Sequence, residues 1–117
     1  MKHLWVILFL LFVGCEKKKE VVTNYFSNGQ QKLEATWKNG KLEGKTIQWF
    51  SNGQKQFEGN YRNGKRDGLW TSWKENGKKR QNQYFKNEDG IQEIQWTWWH
   101  ENGQMAQRWD EVNGKTI

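Results

Sequence analysis

Apolar and polar residues alternate along most of this chain, and Asn-Gly interrupts the alternation at regular intervals. Leu33, Ala35 and Trp37 fall on one face of an extended segment, with Lys32, Glu34 and Thr36 on the other. Phe57, Gly59 and Tyr61 repeat the first of these faces further along. Alternation with a period of two marks a strand, because successive side chains of an extended backbone point to opposite sides. Asn-Gly between two such segments predicts a hairpin with a type I′ turn, at Asn52 and Asn63 alike. That turn needs positive φ at both central residues, and these two residue types tolerate it best.

The turn asparagines are Asn28, Asn39, Asn52, Asn63, Asn76, Asn87, Asn102 and Asn113. The intervals between them alternate, a shorter one such as Asn28 to Asn39 and then a longer one such as Asn39 to Asn52. The alternation defines a two-strand unit, the stretch from Asn28 to Asn52, which recurs at the same length from Asn52 to Asn76. Two extra residues stand before the last copy. Each interval has room for one strand and none for a helix. Strands are expected at 21–26, 31–38, 44–50, 55–62, 68–74, 79–86, 93–100 and 104–111. Tight turns in chain order predict an all-β antiparallel meander, an elongated single-layer twisted sheet of repeated hairpins over 21–117. The last unit matches less well, with Gln107, Trp109 and Glu111 at the alternating places, so its end is expected to fray. Trp70 and Trp73 are three apart, as are Trp96 and Trp99, which puts each pair on opposite faces or requires a bulge. Cross-strand aromatic pairs, at roughly 0.2 to 1 kcal/mol each, are the expected stabiliser of a sheet too thin to have an interior.

The first residues break this pattern. Lys2 and His3 lead into an unbroken apolar run from Leu4 to Val13, then Gly14 and Cys15, the layout of a secretory signal. The run is shorter than the roughly 20 residues of a spanning helix. Phe12-Val13-Gly14-Cys15 resembles the lipobox of bacterial lipoproteins, with Phe12 in place of the usual Leu. The resemblance implies a signal peptide over 1–14, cleavage before Cys15, and a diacylglycerol on the Cys15 thiol. It implies a membrane-anchored protein of the bacterial envelope, on the periplasmic or cell-surface side. Cys15 is the single cysteine, so no disulfide is expected. Residues 15–20 form the acylated end and a charged tether.

Composition narrows the chemistry. Nine tryptophans and no proline accompany a net charge of +6. Aromatic side chains suit a half-exposed pleated surface, and the absence of proline lets nearly every residue join a ladder. His100 is the one histidine after the leader, with no second imidazole or free thiol to complete a metal site. Ser27 and Ser51 sit in turn positions that favour serine, and Ser72 has no histidine to activate it. No glycine-rich phosphate loop is present. The domain reads as a non-enzyme without cofactor or metal, and no nucleic-acid partner is expected. The polar run Lys78 to Gln83 excludes a transmembrane barrel, which needs an apolar outer band.

The segment Glu58-Gly59-Asn60-Tyr61-Arg62-Asn63-Gly64-Lys65-Arg66-Asp67-Gly68-Leu69-Trp70 resembles the variant MORN repeat of bacterial proteins, and Glu34 to Gly44 resembles it nearly as well. The resemblance extends over about residues 25 to 115 and implies an elongated hairpin sheet used for binding or scaffolding. Many such chains are identified as YwqK-type antitoxins of toxin–antitoxin pairs. That implies a second role, an antitoxin or immunity protein neutralising a toxin at the membrane. The third copy departs from the pattern, because Asn87 is followed by Glu88 and Asp89 before Gly90.

A meander places Asn28, Asn52, Asn76 and Asn102 on one long edge and Asn39, Asn63, Asn87 and Asn113 on the other. Around the second edge stand Lys38, Lys41, Arg62, Lys65, Arg66, Lys86 and Lys115, partly offset by Glu43, Asp67, Glu88 and Asp89. This is the candidate interaction edge, for an anionic lipid or polymer or for a protein partner. The open first and last strands are further edges, able to pair between chains.

Overall fold

The computed structural model describes residues 18–117, so the leader and Cys15 lie outside the described residues. Within them the chain makes one open antiparallel sheet whose strands lie side by side in chain order. They are β1 (Glu20–Tyr25), β2 (Gln31–Lys38), β3 (Lys41–Trp49), β4 (Lys55–Arg62), β5 (Lys65–Trp73), β6 (Lys79–Glu88), β7 (Ile91–Trp99), β8 (Met105–Val112) and β9 (Lys115–Thr116). The meander expected from the periodicity forms, with a short ninth strand added after Asn113-Gly114. The smallest principal extent is 17 Å, that of one twisted layer.

The two long edges use different turns. At Asn39-Gly40, Asn63-Gly64 and Asn113-Gly114 both residues have positive φ, between 49° and 78°, as a type I′ turn requires. At Asn28, Asn52, Asn76 and Asn102 only the following glycine is left-handed, with φ between 82° and 87°. The type I′ turn expected at Asn52 is therefore not what forms. The Gly53 N–H donates to the Phe50 carbonyl at 3.0 Å, and Asn52 Oδ1 accepts the Gln54 N–H at 3.0 Å. The serine or glutamate ahead of the asparagine lengthens the loop beyond two residues, and longer loops are built on a type I turn followed by a left-handed glycine. Each such loop shifts the register, at Asn24/Tyr25, Gln48/Trp49, Ser72/Trp73 and Trp98/Trp99.

On the type I′ edge the third turn falls at Asp89-Gly90, with φ of 51° and 76°, and Asn87 lies inside β6. Glu88 cannot take the glycine's place cheaply, and the next pair supplies both left-handed residues. This displacement changes the ladder behind it. In β2–β3 the pairs Ala35↔Thr46 and Trp37↔Leu42 leave three residues of β3 opposite one of β2. In β4–β5 the pairs Glu58↔Thr71 and Asn60↔Asp67 leave the same bulge. Gly44 and Gly68, at φ of 108° and 67°, lie within these bulges. β6–β7 has none, its ladder running unbroken from Gln81↔Trp98 to Glu88↔Ile91. The two extra residues lie on the shorter arm of that hairpin, so its arms become equal and nothing has to bulge. β3 and β5 accordingly begin three residues before their expected starts, because Gly44 and Gly68 sit inside strands and do not mark their beginnings.

Burial is confined to the sheet's midline. Trp70, 3% exposed, is the most buried of the core side chains, and its indole covers Gly59, where a Cβ would stand 2.1 Å from the ring. Phe57 lies 6.0 Å from it and Tyr61 meets it edge-on at 5.0 Å. The indole N–H donates to the Asn60 carbonyl at 3.0 Å. Trp73 takes the opposite side of β5, with the Lys55 ammonium 5.9 Å from its ring. Further along, Trp109 stacks on Trp96 at 5.7 Å and 13°, and Trp98 follows at 6.4 Å. The fraying expected of the last unit does not occur. β8 pairs with β7 from Met105 to Val112, held by the tryptophan stack that its weaker alternation conceals.

Candidate interaction edge

A type I′ turn sets the residues on either side of it directly opposite each other, so the sequence around Asn-Gly decides which charges meet. Lys38 faces Lys41 across the first such turn, and Arg62 faces Lys65 across the second. Like charges in this position are destabilising. All four side chains are exposed, and none makes an ion pair among the described residues. The Glu43 carboxylate accepts the Asn63 N–H at 2.6 Å, which sets one negative charge beside the second turn and offsets it in part without forming an ion pair. Successive turns are tied together: the Gly64 N–H donates to the Leu42 carbonyl at 2.9 Å, and Asn87 Nδ2 donates to the Arg66 carbonyl at 2.9 Å. The two basic turns are thus held two strands apart, about 10 Å.

The other residues of the expected edge are placed differently. The Arg66 guanidinium lies over Trp70 at 4.7 Å and near Phe85 at 5.8 Å, so it packs on the sheet face. Lys86 is opposite Glu93 and lies 3.4 Å from the Glu88 carboxylate. Lys115 is opposite Val112. Of the seven residues, the structure gathers four into two like-charge pairs, none of the four in an ion pair among the described residues.

The opposite edge spends its polar groups on itself. Asn28 Nδ2 donates to the Ser51 carbonyl at 3.0 Å, and Asn52 Nδ2 to the Glu75 carbonyl at 2.9 Å, so each turn is bonded to the next. Asn76 turns instead to the Glu101 carboxylate at 3.4 Å. Lys74 hydrogen-bonds Glu101 and Lys78 stands 3.5 Å away, which holds the Glu101 carboxyl below the usual carboxylate range. This asparagine ladder escapes a reading by local spacing, because each of its bonds joins turns of two different units. Its one signal is the identical Asn-Gly at every unit. Among the described residues no three His, Cys, Asp or Glu side chains group closely enough to hold a metal ion.

The family model for the MORN repeat variant matches residues 42–63, 66–87 and 92–110. The chain belongs to this family. Each matched MORN-variant unit starts at the head of an odd strand and ends at or near the tail of the next even one, so β3–β4, β5–β6 and β7–β8 are its copies. β1–β2 lies outside the match, and β1 has six residues where β3, β5 and β7 have nine. Comparison with curated proteins and with solved structures gave no match.

Proposed function

We propose that this MORN-variant chain is a non-catalytic interaction module, held on the bacterial envelope by a lipid on Cys15, whose two basic turns contact an anionic partner. The observation that carries the reading is the pair of like-charge contacts, Lys38 with Lys41 and Arg62 with Lys65. Such contacts cost stability in the isolated sheet, and a counter-charge from outside removes the cost. Four cations near an anionic membrane, at about 1 kcal/mol each, make a contact that is weak singly and useful together. The tether from Cys15 to Glu20 reaches under roughly 20 Å at about 3.4 Å per residue, which keeps the sheet at the surface. The shared chemistry is an array of phosphate or carboxylate groups, whether lipid headgroups or an acidic polymer. The antitoxin role that the repeat type implies enters only as one kind of protein partner.

All nine strands and their pairings lie within residues 20–116, so a chain of residues 18–117 carries the whole sheet. That chain is passed over vesicles with and without anionic lipid, and over an anionic-polymer column, at low and moderate salt. Retention on at least one anionic support, falling as salt rises, is expected, since exposed charges are screened beyond about 8 Å at physiological ionic strength. Equal retention on neutral vesicles, or none on either anionic support, overturns the reading. For the anchor, Cys15→Ala is expected to leave the precursor uncut and unacylated by mass spectrometry.

A further inference from the structure

The two ends of the sheet are fragments of one strand. Val112↔Lys115 and Glu111↔Thr116 reproduce the pairs Lys38↔Lys41 and Trp37↔Leu42, so residues 115–117 hold the places of Lys41 to Glu43. The Ile117 N–H, bonded to the Asp110 carbonyl at 2.9 Å, continues β9 by one residue. At the other end, Glu20↔Trp37 through Tyr25↔Gln31 reproduce Gly44↔Tyr61 through Trp49↔Lys55, so β1 holds the places of Gly44 to Trp49. One end supplies the first three positions of an odd strand and the other end supplies the remaining six.

We infer that copies of this chain join head to tail, β1 of one lying along β8 of the next and in line with its β9. In that register Val22 stands opposite Trp109, Thr23 opposite Arg108 and Asn24 opposite Gln107, continuing the repeat without a break. Val22 against Trp109 is the β-branched and aromatic pairing that stabilises neighbouring strands. An open hollow lies where the first residues of β1's strand would run, lined by Lys18, Glu20, Val22, Trp37, Lys38, Asn39 and Gly40. Residues 115–117 of the second copy fill it, and the Thr116 carbonyl there accepts the Gly40 N–H as Leu42 accepts that of Gly64. Of the nine large hydrophobic side chains exposed among the described residues, five sit at these two ends: Val21, Val22, Tyr25, Met105 and Ile117. A head-to-tail contact between different surfaces extends into an open ribbon unless its rotation closes. Two juxtapositions oppose it. Lys18 lines the hollow and has to move aside for residues 115–117. Glu20 takes the place of Gly44, whose Cβ position is 3.4 Å from Thr36, and Asp110 takes the place of Thr36.

The test uses residues 18–117, which contain no cysteine. Light scattering is expected to show mass rising with concentration beyond that of a monomer. Val22→Lys should weaken association roughly fivefold, about the worth of one such pair, and Glu20→Gln should strengthen it. Appending Gly-Lys-Thr-Ile-Gln-Trp after Ile117 completes the last strand within the chain, and should give a monomer that melts no lower than the parent. Asn24→Cys with Gln107→Cys should form disulfides between chains under mild oxidation, whereas Thr23→Cys with Gln107→Cys, one residue out of register, should not. A parent chain that stays monomeric at high concentration overturns the inference, as does an extended chain that still associates, or equal crosslinking of the two cysteine pairs.

Discussion

The hairpins β4–β5 and β6–β7 come from equivalent units and solve the same closure differently. In β4–β5 the arms are unequal, a bulge absorbs the excess at Gly68, and the bend lets Trp70 lie flat over Gly59. In β6–β7 two further residues equalise the arms, the ladder is unbroken, and Gln83 occupies the place of Gly59 opposite Trp96. Trp96 is half-exposed, stacked on Trp109, and its indole N–H is buried without a partner among the described residues. The position of the left-handed dipeptide therefore decides more than the turn. It sets whether the sheet bends, and whether its tryptophan is covered and hydrogen-bonded or stacked and left unsatisfied. Charge follows the same division. The bulged hairpins end in Lys38/Lys41 and Arg62/Lys65, while the straight one ends in Glu88 opposite Ile91.

The largest effect should separate the two tryptophans. Trp70→Ala removes a covered aromatic and its hydrogen bond to the Asn60 carbonyl, which should cost about 3 to 5 kcal/mol in denaturant unfolding. Trp96→Ala, in the straight hairpin, should cost about half as much, since its indole is partly exposed and its N–H has no bond to lose. Equal losses would mean that the bulge does not distinguish the two sites.

Moving the turn should convert one hairpin into the other. Deleting Glu88 and Asp89 joins Asn87 to Gly90, restores the shorter arm, and places Ile94 where β5 has Gly68. A β-branched residue forced into that backbone costs about 1 to 3 kcal/mol. Ile94→Gly should then recover much of the loss in the deletion variant, although the same change destabilises the parent chain. A further loss on adding Ile94→Gly to the deletion would show that arm length does not set the register.

These comparisons mark how far the sequence was legible. The meander and seven of the eight turn positions follow from the asparagine spacing, because turn chemistry and a period of two are local properties; the eighth turn moves from Asn87 to Asp89-Gly90. The extra two residues before the last copy were visible too. Their consequence was not, because a bulge is a relation between two arms and neither arm shows it alone. Gly44 and Gly68, the first residues of two expected strands, lie inside those strands for the same reason. The basic edge was legible as a list of charges, but not the sorting within it. Arg66 leaves the edge for the Trp70 ring and Lys86 for Glu88, contacts that depend on the folded register.

The smallest effect lies on the opposite edge. Lys74 and Lys78 lower the Glu101 carboxyl in the folded state, so its contribution to stability is present above the unfolded pKa and lost as pH falls through the folded one. The group is fully exposed and the contribution is slight. Glu101→Gln should flatten the acid limb of a stability-versus-pH curve by a small amount, and an acid limb identical to the parent's would contradict this.

The central claim is that binding depends on where the positive charges stand and not on how many there are. Two variants of residues 18–117 test it, each losing four charges: Lys38, Lys41, Arg62 and Lys65 to Gln at the two basic turns, and Lys32, Lys79, Arg80 and Arg108 to Gln elsewhere. Retention on the anionic support that binds the parent, measured against salt, is expected to collapse for the first variant and to persist for the second. Equal losses from both would contradict the account, leaving net charge as the whole of the attraction.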